Sequence, residues 1–108
     1  MSKFYVIGKF SREYIKAMMQ NPDQDRVTSV KKMTEVIGVT YHSMEIVRGD
    51  YDVVGILEGD YEPVAGMKVA VMQSGMMDEL ILLDTAFDLN ATANKAKTAS
   101  EHYTKTID

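Results

Sequence analysis

The residue types with chemical reach in this 108-residue chain gather in one short stretch, Tyr41-His42-Ser43 followed by Arg48-Gly49-Asp50-Tyr51-Asp52. A histidine can move a proton near neutral pH or act as an axial ligand to haem. Placed with a phenol and a guanidinium, it could transfer a proton while its neighbours steady a developing oxyanion. His42, Tyr41 and Arg48 are therefore the candidate catalytic set. Tyr41 and Ser43 alternate with His42, so one or the other set looks into the space between sheet and helices. The competing reading makes His42 a hydrogen-bonded histidine at a sheet edge or a subunit seam.

Asp52 lies close to the Arg48 turn and reads as half of an ion pair that fixes the hairpin, with a catalytic carboxylate as the alternative. Tyr51 falls on the opposite strand face from Asp52 and reads as packing, with proton donation as the alternative. Arg48-Gly49-Asp50 also spells an adhesion tripeptide, but it sits where a tight turn is required. Four methionines, Met33, Met67, Met72 and Met76, fall on helix-like segments and could give a ligand a soft, adaptable apolar lining, unless they are simply core.

Several chemistries are excluded. The chain has no cysteine, which removes disulfides, thiolate metal sites and a cysteine nucleophile. Glu45 and Glu58 could meet across the hairpin, but two carboxylates without clustered histidines make a poor transition-metal site, and the spacing of a calcium loop is missing. No glycine-rich phosphate loop or nucleophile elbow occurs, and neither metal nor cofactor is expected. The net charge of −4, with no basic stripe, argues against nucleic acid. No apolar run reaches the ~18 residues of a membrane span. The N-terminal Met1-Ser2-Lys3 runs straight into strand-like sequence, so the expected location is the cytoplasm.

The elements that must position these groups follow from periodicity. Apolar residues at 45% and charged ones at 26% describe an ordinary globular domain. Lys3 to Phe10 alternates as a strand. Ser11 caps a helix that Asn21-Pro22-Asp23 interrupts, with Pro22 expected to open a second segment capped by Asn21. That segment carries Val27, Val30, Met33, Val36 and Ile37 on one face and ends at Gly38. Val39 to Val47 and Tyr51 to Glu58 form a hairpin. Asp60 caps the next helix, which closes at Ser74-Gly75, and Leu80 to Phe87 forms a fourth strand. Residues 1–89 thus make one domain, and 90–108 an alanine-rich helical tail with a thin stripe of Ala93, Ala96 and Ala99.

Strands two to four are apolar on both faces: Val53 and Leu57 oppose Val54 and Ile56, and Leu80 and Leu82 oppose Ile81 and Leu83. Helices on one side leave the other side of the sheet uncovered, and monomers seldom tolerate such a patch. A second copy, sheet on sheet, is the expected cover and predicts a homodimer. The alternative cover is the C-terminal helix folded back, although its alanine stripe offers little area.

Phe4-Tyr5-Val6-Ile7-Gly8-Lys9-Phe10 and Arg48-Gly49-Asp50-Tyr51-Asp52-Val53-Val54 together resemble the GYD domain family over residues 3 to 88, with the signature on Gly49, Tyr51 and Asp52. The resemblance implies an α+β, ferredoxin-like βαββαβ fold with an antiparallel four-stranded sheet, paired as a dimeric α/β barrel, here with an extra C-terminal helix. It implies no activity. Relatives in the wider superfamily include cofactor-free monooxygenases, isomerases, haem enzymes and ligand-sensing domains that share a cavity between sheet and helices, and fold alone does not choose among them. The expected function is a homo-oligomeric protein that binds a small apolar organic molecule between sheet and helices. The alternatives are a cofactor-free monooxygenase or isomerase and a structural oligomerisation module.

Overall fold

The structure is a computed structural model that describes residues 2–85 and 88–107. Among these residues the order is β1 Ser2–Phe10, α1 Arg12–Gln20, α2 Arg26–Val36, β2 Thr40–Ile46, β3 Val53–Gly59, α3 Tyr61–Gln73, β4 Met77–Asp84 and α4 Leu89–Ile107. The strands form one antiparallel sheet in the order β2-β3-β1-β4, which with the split first helix is the ferredoxin-like βαββαβ arrangement. The central strands β1 and β3 pair from Ser2 with Gly59 to Gly8 with Val53. β4 lies on the far side of β1 and β2 on the far side of β3, so β2 and β4 are the edges.

The register sorts the side chains into two faces. Toward α2 and α3 point Phe4, Leu57, Leu80 and Tyr41, and a core forms where Phe4, Val39, Leu57, Val64, Met67 and Leu80 meet. Phe4 and Val64 are fully buried, each worth about 1.5–3 kcal/mol relative to an exposed side chain. Pairing places Tyr5 beside Ile56 and Leu83, and Ile7 beside Val54 and Ile81, on the opposite face. No described helix covers that second face: α2 packs on β2 and α3 on β4, while every described side chain of α4 is exposed. The C-terminal helix does not fold back over the sheet.

Local chemistry explains the element ends. The Ser11 hydroxyl accepts the Tyr14 N–H at 3.1 Å and starts α1. Asn21 ends α1 rather than beginning α2. Pro22 and Asp23 form the intervening turn, and Asp25 caps α2 by accepting the Thr28 N–H at 3.0 Å and the Thr28 hydroxyl at 2.7 Å. The expected N-terminal role of Pro22 gives way because a two-oxygen carboxylate cap satisfies the α2 donors better than a proline start. Gly38 follows α2 with φ of 74°, which suits glycine. Val27 and Val36 on α2 are exposed, and the residue this helix buries is Thr34. Nine residues carry the helix about two and a half turns, so Val27 and Val36 lie on opposite sides of it and cannot both face the sheet: periodicity named the helix but not its contact.

The strand limits also shift. β3 begins at Val53, so residues 47–52 form a loop longer than a tight turn, and β4 begins at Met77, three residues before the expected start. The expected end of β4 at Ala86 and Phe87 falls outside the described residues. The β2–β3 register slips between Tyr41 and Ser43, which makes His42 the extra residue of a β-bulge.

The Asp25 cap predicts a pH dependence. Its hydrogen bonds, first from the Thr28 side chain and then from the Thr28 backbone, hold the carboxyl below its ordinary value of 3.8. A depressed folded-state pKa gives a stabilisation that is complete above that value and fades as pH falls through the folded pKa. Denaturant midpoints measured from about pH 5 down to about pH 3 should therefore fall less steeply for Asp25→Asn than for the parent chain.

Candidate functional site

The sequence signature acts first as a clamp. β3 starts too late to give the Phe10 N–H a backbone partner, and the Asp52 carboxylate takes that place, accepting it at 2.9 Å. The Asp52 N–H donates to the Gly8 carbonyl at 2.9 Å, and its own carbonyl accepts the Val47 N–H at 2.9 Å. One residue therefore ties both ends of the 47–52 loop to the end of β1. The expected ion pair between Asp52 and Arg48 is not how the turn is held: a fixed backbone donor binds the carboxylate without the side-chain entropy of an exposed arginine. Gly49 sits at φ of 133°, a conformation open to glycine. The Tyr51 ring lies 5.5 Å from the Lys9 ammonium, which pins the loop to β1 from the other side.

The chemically richest place is the opposite end of the hairpin. A depression of about 650 Å³ lies where α2 meets the β2 edge, lined by Lys31, Thr34, Glu35, Gly38, Val39, Thr40, Tyr41 and His42. The Lys31 ammonium sits 5.3 Å from the Tyr41 ring centroid, and buried Val39 forms part of the wall. Tyr41 points to the helix side, opposite Leu57. His42 meets Glu58 on the other face, Nε2 to Oε1 at 2.8 Å, with both side chains about two-fifths exposed. A carboxylate only accepts, so Nε2 carries the hydrogen and Nδ1 is the basic nitrogen of the neutral ring. At that exposure the pair adds little to stability.

The structure brings Tyr41 and His42 to one depression from two sheet faces and leaves Arg48 beyond the far end of β2, roughly 20 Å away by strand rise. The three do not form one catalytic cluster. Glu45 pairs with Val54 and Thr40 with Glu58, so the two glutamates do not meet, and Glu58 finds His42 instead. Among the described residues no group of three or more His, Asp or Glu could hold a metal ion, and no helix is long and apolar enough to cross a membrane. Met67 is part of the core, Met33 and Met72 pack against it, and Met76 is 41% exposed on the turn before β4. Lys31 and Glu35 fall outside the apolar series that periodicity picks on α2, and they reach the depression because Thr34, between them, is buried on the sheet side.

The clamp yields a direct test. Asp52→Ala leaves a part-buried N–H without its acceptor and should cost about 1–3 kcal/mol in chemical denaturation, while Arg48→Ala should be nearly neutral. Equal losses from the two would contradict the geometry.

No curated protein and no solved structure matches the chain. The GYD domain model matches residues 4–101, nearly the whole chain including the clamp, the bulge and most of α4, and the protein belongs to the GYD domain family.

Proposed function

We propose that the chain is a cytoplasmic, homodimeric binding protein that holds a small, largely apolar organic molecule at the α2/β2 depression. The observation that carries this reading is the depression itself, whose volume falls in the range of small-molecule sites and whose lining sets Val39 and the Tyr41 ring among the polar Lys31, Thr34, Glu35, Thr40 and His42. Val39 and Tyr41 belong to the core assembly that also holds Met33, Met67 and Met72, and those methionines give the wall room to adapt to a ligand. Lys31 and His42 stand at the rim, where they can meet one polar or anionic group of the ligand. Met76, at the β4 turn, belongs to the protein's surface in this reading.

Dimer formation rests on the uncovered sheet face. Tyr5, Ile7, Val54, Ile56 and Ile81 are half-buried there and Leu83 is exposed, and a second copy of the same face is the simplest apolar cover. His42, one of the lining residues, turns to Glu58 on the uncovered face, so a second copy on that face would lie beside the depression. The enzyme reading is weaker, because the separation of Arg48 removes the group meant to stabilise an oxyanion.

Two measurements test the proposal. Sedimentation equilibrium should give a dimer that Ile56→Asp dissociates; a monomeric parent chain would end the dimer reading. Ligand-observed NMR with 2-naphthoate and 2-naphthol should detect binding that Lys31→Glu and Tyr41→Ala both weaken, Lys31→Glu acting mainly on the carboxylate. Binding indifferent to both substitutions would place the site elsewhere.

A further inference from the structure

The helix α4 stands apart from the rest of the molecule. It is 19 residues long, every one of its described side chains is exposed, and it has no extensive packing on a strand or helix of its own chain. The radius of gyration is 18.4 Å, against about 13 Å for a compact chain of this length. A helix of this size with so little of its surface buried is marginal in water, so packing on another body is what would stabilise it. Its charges do not surround it evenly: Leu89, Ala93, Ala96, Ser100 and Tyr103 recur at helical spacing on a face free of charge, while Lys95, Lys97 and Glu101 lie off it. Leu89 and Tyr103, at 69% and 68% exposure, give that face an apolar anchor at each end. The family match extends to residue 101, so most of this face lies inside the family's own domain.

We infer that α4 is the second half of the self-association surface and docks on the partner copy. The inference rests on the dimer reading above, and area is its main argument. Four strands about seven residues long cover a footprint of roughly 450 Å², whereas a stable interface takes about 800 Å² from each partner. The sheet face alone falls short. A helix of 19 residues is about 28 Å long and 10 Å wide, and laying its uncharged face on the partner supplies most of the difference. Small side chains at 93, 96 and 100 let the helix approach closely, while Leu89 and Tyr103 provide the buried anchors expected of an interface.

The test uses the full chain. Ala93→Glu with Ala96→Glu changes two exposed positions to a good helix former, so the domain should fold as before. Sedimentation equilibrium should show the dimer weakened by about tenfold or more, with an unchanged circular dichroism spectrum. The absence of cysteine permits a second readout: a benzophenone attached to Ser100→Cys should crosslink a second copy. A dimer that Ile56→Asp dissociates but the glutamate pair leaves intact would overturn the role of α4 and spare the sheet interface. Crosslinks confined within one chain would overturn it too, and a monomeric parent chain would overturn both readings.

Discussion

Strands β1 and β3 carry apolar side chains on both faces, and the helices of one chain cover only one of them. Everything else in the molecule answers to that imbalance. On the covered side Phe4, Leu57 and Val64 close a small core with Met67 and Leu80, while glycines at 8, 55 and 59 let neighbouring chain come close; a methyl group at Gly55 would stand 3.1 Å from the Ser43 carbonyl oxygen. On the other side the same strands present Ile7, Val54 and Ile56, half-buried, with no described helix above them. That open apolar face is what the proposed dimer rests on.

The family signature belongs to this architecture rather than to chemistry at the depression. Asp52 replaces a missing ladder bond at the end of the central strand, Gly49 takes a backbone conformation that a side chain would strain, and Tyr51 stacks near Lys9. Together they hold the 47–52 loop against β1 at the end of the sheet far from His42. Lys31, Thr40 and His42 at the depression can therefore change without disturbing Gly49, Tyr51 and Asp52.

Element types and order were legible because alternation in Phe4 to Phe10 and helical recurrence through Val64, Met67 and Val71 are strong periodic signals. The Ser11 cap, the Gly38 and Gly75 ends and the break near Pro22 could also be read from residue type. What periodicity could not supply was partnership. Val27 and Val36 read as one stripe with Met33, yet both are exposed, because about two and a half turns of helix set them on opposite sides. Asp52 stands near Arg48 in sequence, but it binds a backbone N–H 42 residues away, which no local pattern encodes. The site was half visible. Tyr41 and His42 were singled out by type, whereas Lys31 and Thr34 join them only because α2 returns over β2, and the bulge that turns His42 toward Glu58 has no signature in sequence.

That bulge has a further consequence. β2 is an edge strand, with a row of backbone donors and acceptors turned outward, and such rows invite other chains to add on strand by strand. The extra residue at His42 breaks the even spacing that a new strand would need, and the twist it brings turns the edge away from a flat approach. Growth of the sheet sideways into a fibre is therefore interrupted at β2, while its apolar face is left open. In the dimer proposed above, the same edge would keep a pair of chains from extending strand by strand.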